Sequence, residues 1–376
     1  MTDAVVIGGG LAGAALATRL GLAGREVLLL EREAETAHKV CGEFVSREAR
    51  LYLASLGVDL AALGAVAIDS VRLCGRGPVV GVPLPFTAMS LSRRVLDEAL
   101  LQRAASAGAT VRRGAKVVEL TRGSAGWNVR LEDGDLIAAG EVFLATGKHD
   151  LRSHKRPAGI QHDLVAFKLH WRLAPGEAAA LERHVELVLF EGGYAGLEPI
   201  EGGLANLCLL IRRHRLRALG QRWQNVLTAI RAESPHLDMR LTGAEACWPR
   251  PMALSSIPYG HVRRRADGLW RLGDQAAVIP SFSGDGMSIA LHSAELAAAT
   301  YLEGGSADAY QRKLARDVTG QVLLATILSH GLVRRPAQSA LSAAARMWPG
   351  LMSTVAFHTR VSDAALSRTT LAAGGA

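Results

Sequence analysis

The first 31 residues constrain the fold more than any other part of the chain. An apolar run at residues 5–7 leads into a turn with three glycines in the spacing GxGxxG, at Gly8, Gly10 and Gly13. A helix-compatible segment of Ala and Leu follows, and a second apolar run ends at Glu31. In such a unit the glycines permit a tight turn, a close approach of a pyrophosphate, and close packing of helix on strand. The helix start offers amide groups to phosphates and Glu31 can accept ribose hydroxyls, so the pattern predicts a dinucleotide site.

Length and charge narrow the class of protein. The chain has 376 residues, 49% of them hydrophobic, so we expect a globular protein with a large core and two domains. Its 43 Lys and Arg residues outnumber 35 Asp and Glu residues, and the net charge is +8. The sequence contains no DNA- or RNA-binding motif, so we expect no nucleic-acid partner. The positive charge leaves open an attraction for anionic cofactors, or peripheral contact with an anionic membrane surface.

The spacing of the cysteines and the first residues of the sequence indicate the cellular compartment. Four cysteines lie far apart, with no CxxC pair and no histidine at zinc spacing, so we expect no structural metal and a reducing compartment: Cys41, Cys74, Cys208 and Cys247. A strand predicted from residue 4 leaves no room for a signal peptide, and no apolar run reaches transmembrane length. We therefore expect a cytoplasmic enzyme.

A second glycine-rich turn lies near residue 280. A predicted strand ends at Gly273 and Asp274, and Gly284 and Gly286 precede a helix whose amide groups point back toward the same ligand. The Asp274 carboxylate can accept a polyol or ribityl hydroxyl. A flavin dinucleotide is long and is held at both ends, whereas a simple nicotinamide dehydrogenase does not need this second clamp. The two turns together predict bound FAD.

The order of segments predicts the architecture. Residues 67–90 resemble short strands broken by Gly and Pro, and Ser92 begins a helix that ends at Gly108. Longer strands of antiparallel type follow Asp163, and the chain from Ala307 onward is mostly helical. We predict an α/β fold: a discontinuous, Rossmann-like FAD-binding domain (1–66, 91–155, 253–300), an inserted, mostly antiparallel substrate domain (67–90, 156–252), and a helical C-terminal region (301–376).

With these motifs, residues 3–300 resemble the flavoprotein superfamily of aromatic hydroxylases, flavin halogenases and geranylgeranyl reductases. The segment SRRVLDEALLQRAASAGATV, from Ser92 on, resembles the second conserved block of that superfamily. The resemblance implies that Arg93 contacts the FAD pyrophosphate and that Asp97 caps or stabilises the helix.

Shorter motifs indicate which group within this superfamily the chain resembles most. Aromatic hydroxylases carry an Asp-Gly pair where this chain has Ala145, Thr146 and Gly147. The WxWxIP motif of halogenases is absent from the sequence. Residues 39–43, Lys-Val-Cys-Gly-Glu, resemble the Cys-Gly loop of geranylgeranyl reductases, the branch that this chain resembles most. Residues 194–199 occupy the place of their YxWxFP motif, with Gly196 for Trp and Glu198 for Phe, which implies a wider or more polar pocket.

The resemblance places Cys41 and Tyr194 near the flavin ring, where either could donate a proton, although each could instead be a packing residue. His149 and Asp150 are interpreted as loop residues, and His292 as a hydrogen-bonded core histidine. The residues expected to bind the cofactor are Gly8, Gly10, Leu11, Ala12, Gly13, Glu31, Arg32, Cys41, Gly42, Arg93, Gly147, Gly273, Asp274, Gly284, Gly286 and Met287.

Three functions remain open at this stage. The first is reduction of a C=C bond in a hydrophobic, isoprenoid- or polyketide-like small molecule, with NADPH or NADH as an electron donor. The second is a flavin-dependent monooxygenase that hydroxylates an aromatic or polyketide-like substrate. The third is a flavin-binding protein without catalysis, which two flavin clamps and a large inserted domain disfavour. The sequence does not determine the oligomeric state.

Overall fold

Two β-sheets organise the chain, and helices pack on their faces. The computed structural model describes residues 2–123, 126–348 and 350–373. The strands of the first sheet are β1 (Thr2–Ile7), β2 (Val27–Leu30), β6 (Thr110–Arg112), β7 (Val117–Gly123), β8 (Gly126–Leu131), β9 (Leu136–Leu144) and β16 (Trp270–Arg271). The strands of the second are β3 (Phe44–Val45), β4 (Val66–Cys74), β5 (Val80–Ser90), β10 (Leu164–Arg172), β11 (His184–Phe190), β12 (Gly193–Ile200), β13 (Leu204–Arg212), β14 (Glu245–Ala246) and β15 (Met252–Ser255).

Twelve helices connect or cover these strands in the described part of the chain. They are α1 (Leu11–Leu22), α2 (Arg47–Ser55), α3 (Arg93–Ser106), α4 (Pro175–Leu181), α5 (Arg213–Ala218), α6 (Trp223–Glu233), α7 (Pro235–Leu241), α8 (Gly286–Leu302), α9 (Ala307–Leu332), α10 (Arg335–Met347), α11 (Gly350–His358) and α12 (Asp363–Ala373). None of the described helices is both long enough and apolar enough to cross a membrane.

The first sheet has a parallel centre. β1 lies between β2 and β9 and pairs with both in parallel, and β16 extends β9 on the far side. Ala4 and Val6 point toward α1, α3 and α8, whereas Val5 and Ile7 face the hydrophobic cluster of β7, β8 and β9. Burial on both faces explains the continuous apolar run of β1. The carboxyl ends of β1 and β2 therefore meet at one edge, where ligands bind in such sheets.

The second sheet is mostly antiparallel. Its strand order is β14-β10-β13-β12-β11-β4-β5-β3, with β15 beside β10 and one parallel pair, β4 with β11. On β12, Ala195 and Leu197 pack outward against the cluster that includes α6 and α7. Tyr194, Gly196 and Glu198 alternate with them and face inward, toward the first sheet and the C-terminal helices. The predicted α/β fold class, with a mostly antiparallel second sheet and a helical C-terminus, is confirmed.

Two predictions about strands were wrong. Residues 67–90 form two long strands rather than short pieces; Pro83 and Pro85 are tolerated because β5 has only the short β3 on its far side. The strand expected before Gly273 is only two residues long.

Candidate active site

The glycine turn after β1 is shaped by close backbone contacts. Gly8 has a φ of +105°, and a Cβ there would lie 2.5 Å from the carbonyl oxygen of Ala145. A Cβ on Gly13 would lie 1.9 Å from the carbonyl oxygen of Gly8, so any larger residue would push α1 away from β1. Gly10 is the N-cap residue of α1 and has no side chain, so no N-cap side chain accepts hydrogen bonds from the first amide groups of the helix. This turn can cradle a phosphate against a helix start.

Glu31 lies directly after β2 and braces this turn. Its Oε2 accepts a hydrogen bond from the amide of Gly9 at 2.6 Å, and its Oε1 accepts one from the amide of Glu33 at 3.0 Å. The carboxylate also lines the cavity described below, where its remaining lone pairs can accept hydroxyl groups. Glu31 therefore supports the turn as well as offering the acceptor that the sequence predicts.

Two cations stand beside the glycine turn. Ser92, and not Asp97, caps α3: its hydroxyl accepts from the amide of Val95. Asp97 instead holds Arg93 at 2.8 Å and Lys39 at 2.6 Å. Both cationic side chains line the cavity, so one buried carboxylate orients two positive charges toward a position suited to a pyrophosphate.

One cavity of about 890 Å³ joins the predicted positions. Gly13 lies beneath the turn and is not part of the lining; all the other predicted site residues are. These are Gly8, Gly10, Leu11, Ala12, Glu31, Arg32, Cys41, Gly42, Arg93, Gly147, Tyr194, Gly273, Asp274, Gly284, Gly286 and Met287. Both glycine-rich turns therefore face the same space, although they are more than 250 residues apart in the sequence.

The loop that carries Cys41 is fixed by a buried carboxylate. Glu43 is fully buried, has a φ of +65°, and accepts hydrogen bonds from the amide of Arg93 at 2.8 Å and from His170 Nε2 at 2.8 Å. Lys168 forms an ion pair with the same carboxylate. Burial opposes the charge on Glu43, but the hydrogen bond from His170 and the charge of Lys168 hold its pKa below the usual range. The Cys41 loop is thereby attached to β10.

This cluster also contains a group of side chains that could ligate a metal ion. His38, Glu43 and His170 offer ligand atoms within 4.8 Å of one another. Burial, together with the nearby His170 and Lys168, lowers the pKa of His38 to about 4, so its ring is neutral near pH 7. Lys168 already neutralises the carboxylate, and a metal ion would meet that ammonium charge. We therefore describe these residues as an ion-pair network.

The inner face of the second sheet forms a wall of the cavity. Four apolar side chains of β4 and β11 lie in two cross-strand rows: Val71, Leu73, Val185 and Leu187. On β12 the wall continues with Tyr194, Gly196 and Glu198. A Cβ built on Gly196 would meet no atom within 4 Å, so the wall is open at this position. The cavity thus has one apolar side and one polar end.

The polar end is a row of side chains across three strands. Glu198 on β12 lies opposite Asn206 on β13, and Asn206 lies opposite His170 on β10. Glu43 closes the row by accepting a hydrogen bond from His170, and Asn206 donates to the carbonyl oxygen of Gly42 at 2.9 Å.

Tyr194 lies on the same face of β12. Burial raises the pKa of Tyr194, whose ring packs edge-on against Phe282.

The structure also locates the remaining candidates. His149 and Asp150 lie in the loop after β9 and line the cavity, and Asp150 forms an ion pair with Arg156 at 2.7 Å. His292 is fully buried and bonds to the Tyr52 hydroxyl at 2.8 Å and to Asp317 at 3.0 Å, as expected of a core histidine.

Sequence reasoning missed four residues of the polar end. Glu43, Lys168, His170 and Asn206 were not singled out. The available signal was Lys168 and His170 in the otherwise apolar run LVAFKLHWRL, where two polar side chains alternate on one face of a buried strand.

Comparison with known proteins settles the class of chemistry. Residues 1–136 match the family described as FAD binding domain. Over 325 residues the chain is 26% identical to a menaquinone reductase of Mycolicibacterium smegmatis, across 81% of this chain and 78% of the relative. This chain is an FAD-dependent oxidoreductase. The oxidoreductase is an enzyme whose cofactor is FAD, and the two glycine turns, the cations and Glu31 fit that group.

Solved structures agree on the fold of the oxidoreductase. PqsL of Pseudomonas aeruginosa superposes with a TM-score of 0.74 at 18% identity, covering 91% of this chain and 99% of that chain. The myxobacterial chondrochloren halogenase CndH superposes with a TM-score of 0.76 at 19% identity, covering 100% of this chain and 97% of that one. At these identities the likeness concerns the fold.

Proposed function

We propose that this oxidoreductase reduces a C=C bond in a hydrophobic substrate of the polyprenyl-quinone type. The observation that carries the proposal is the single cavity, which joins the glycine cradle to an apolar sheet wall. Reduced FAD supplies a hydride to a bound acceptor. The menaquinone reductase relative, similar over 81% of the chain, supports a substrate that combines a quinone with an isoprenoid tail.

The chain's own residues would hold the cofactor at both ends. The start of α1 and the paired cations Arg93 and Lys39 would face the pyrophosphate. Glu31 would accept the ribose hydroxyls, and the turn around Asp274 would meet the other half of the dinucleotide. The Cys41 loop would then border the redox-active ring, as the resemblance to geranylgeranyl reductases implies.

The substrate would lie along the sheet wall. Val71, Leu73, Val185 and Leu187 give the apolar side on which an isoprenoid chain can pack without unpaired polar groups. The C-terminal helices add apolar lining from Leu341 on α10 and Met352 on α11. These surfaces would exclude water from the reacting bond and hold it in one orientation.

The test is product analysis with and without oxygen. The purified flavoprotein is reduced with NADPH or NADH under nitrogen and mixed with menaquinone in detergent micelles. After any quinol has been reoxidised to the quinone, we expect a product that keeps two added hydrogen atoms on its isoprenoid tail and has gained no oxygen, at the same yield under nitrogen and in air. The matched control omits the electron donor.

A product that contains a new oxygen atom and forms only in air would replace this proposal with the monooxygenase alternative. Recovery of unchanged menaquinone in both gases, from an enzyme whose flavin is reduced by the donor, would contradict the proposed substrate class.

A further inference from the structure

Glu198 is a buried carboxyl group that faces the cavity. It lies on the inner face of β12, is 2% exposed, and lines the cavity near Cys41 and Gly196. Its Oε2 atom is buried and has no hydrogen-bond partner among the described residues. An ionised carboxylate in that position would leave charge on a buried oxygen, Oε2, that has neither solvent nor a hydrogen-bond donor, which is costly.

The residue opposite Glu198 explains how the group can be accommodated. Asn206 pairs with Glu198 across β12 and β13, and its Nδ2 donates to the carbonyl oxygens of Cys41 at 3.3 Å and Gly42 at 2.9 Å. Its Oδ1 is therefore the atom turned away from the loop, and it too is buried with no donor among the described residues. Two acceptors cannot bond to each other, but a protonated Glu198 becomes a donor.

The surrounding charges favour the neutral acid. Burial, with the negative charge of nearby Glu43 as a further cause, raises the pKa of Glu198 well above its usual value. Glu43 already takes the charge of Lys168 and the hydrogen bond of His170. The titratable groups that face Glu198 are therefore Cys41 and Glu43 from the loop and Lys168 from β10, with Asn206 as the neutral partner on β13.

We propose that Glu198 is a neutral carboxylic acid that donates the proton to the substrate in this cavity. The proposal rests on the C=C reduction inferred above. The O–H bond of Glu198 breaks and its proton forms a C–H bond at one alkene carbon, while the hydride supplied with reduced FAD forms a C–H bond at the other. The alkene gains two electrons and is reduced, the cofactor is oxidised, and Glu198 remains as a carboxylate until water returns the proton.

Glu198 suits this role better than Tyr194, one of the two residues that the sequence suggested. Burial raises the pKa of the Tyr194 phenol, which makes it a weaker acid still. The Cys41 sulfur already accepts a hydrogen bond from the amide of Glu43 at 3.4 Å. A carboxylic acid is a stronger proton donor than a buried phenol, and the single-turnover rates of the variants decide between Glu198 and Cys41.

The closing experiment compares Glu198→Gln with Glu191→Gln. Glutamine matches the shape of protonated Glu198 and can donate to Asn206, so the variant should fold and bind FAD. Glu191 lies in the loop between β11 and β12, outside the cavity lining, and carries the same chemical change in the same hairpin. Infrared difference spectra in H₂O and D₂O report a protonated carboxyl group, and anaerobic single turnover of the reduced enzyme with menaquinone reports the rate.

Burial also raises the pKa of Asp285 to about 7, so Asp285 contributes to the deuterium-sensitive carboxylic acid absorption in every variant. We expect this absorption near pH 7 to be equal in the wild type and in Glu191→Gln, and to lose the component of one carboxyl group in Glu198→Gln. We also expect the single-turnover rate to fall by on the order of 10²–10⁴ in Glu198→Gln only, as for loss of a general acid. A normal rate in Glu198→Gln, or a carboxylic acid absorption there that is undiminished relative to the wild type, would overturn the donor role while leaving the proposed reduction intact.

If the wild type shows the carboxylic acid band of Glu198 but does not reduce menaquinone, both the proposed function and the donor role are overturned. If glutamine at position 198 prevents folding, Glu198→Asp and Glu198→Ala take its place. The variant that keeps an acid should then react at least about tenfold faster than the alanine variant, and equal rates would overturn the proposal.

Discussion

His170 Nε2 lies 2.8 Å from Glu43 Oε2, and both side chains are buried. This bond joins the loop after the first βαβ unit to β10 of the second sheet, and the ion pair with Lys168 reinforces it. The amide of Arg93 donates to the same carboxylate, so the start of α3 is held by it as well. Glu43 therefore connects the cofactor side of the cavity to the substrate side.

Glu43→Gln should destabilise the protein strongly. It leaves Lys168 buried without its counter-charge, and breaking such a pair costs about 3–5 kcal/mol of unfolding free energy. Because the pKa of Glu43 is lowered in the fold, its contribution is present above its ordinary value of 4.5 and is lost as the pH falls below it. Urea denaturation of both proteins at several pH values measures this. Equal unfolding free energies near pH 7 would show that the ion pair has no net effect on stability.

The local and the long-range parts of this site differ in how well the sequence predicts them. Gly8, Gly13 and Glu31 belong to one continuous strand–turn–helix–strand unit, so their spacing alone predicts their geometry. Glu43 and Lys168 meet only because β10 lies beneath the Cys41 loop, a pairing between segments that are 125 residues apart. No local pattern encodes that register. Glu198 was noticed only as a departure from a family motif, because its burial and its partner Asn206 depend on strand pairing.

Glu31→Ala should weaken FAD binding. The change removes the acceptor at the end of β2 and also releases the Gly9 amide that it holds at 2.6 Å. Loss of a charged hydrogen-bond partner costs about 1.5–3 kcal/mol, or roughly tenfold to a hundredfold in affinity. Titration of the FAD-free protein by flavin fluorescence gives the two dissociation constants. Glu35→Ala, at an exposed position outside the lining, is the control; an equal affinity in Glu31→Ala would exclude the role of this acid.

Arg93 should not be replaceable by lysine. Arg93→Ala is expected to lower FAD affinity, and Arg93→Lys should restore little of it, because lysine lacks the planar fork that bonds both to Asp97 and to a phosphate. The neighbouring Arg94 is exposed, so Arg94→Ala serves as the control in the same titration. If all four proteins bind FAD alike, Arg93 is a structural partner of Asp97 only.

Cys41→Ser and Tyr194→Phe should separate binding from chemistry. Neither side chain belongs to a glycine turn, and serine can replace the Cys41 thiol beside Arg93 as a polar group, so the flavin spectrum and the thermal stability should stay near those of the wild type. Turnover with menaquinone should fall in each, but by less than in Glu198→Gln, because the proton comes from Glu198 in our account. Single-turnover rates of the three variants rank the candidates, and a larger loss in Cys41→Ser or Tyr194→Phe would return the donor role to that residue.

The helices that border the cavity should touch lipid. Met347 and Trp348 at the end of α10 are 84% and 60% exposed, and Arg346 beside them is exposed too. Apolar side chains with neighbouring cations bind anionic bilayers. Met347→Ala should lower binding to phosphatidylglycerol vesicles in a flotation assay. Leu136→Ala, also exposed but on the first sheet, should not. Equal flotation of both variants would argue against this contact.

We expect the cavity to bring a hydrophobic alkene to reduced FAD, and the reduction to need no oxygen. Stopped-flow absorbance of the fully reduced protein, mixed with menaquinone in oxygen-free buffer, tests it most directly. We expect the oxidised flavin spectrum to return at a rate that rises with menaquinone concentration, together with one equivalent of product that is saturated at one C=C bond of the isoprenoid tail. A flavin that stays reduced until oxygen is admitted, followed by oxygen incorporation into the substrate, would contradict it.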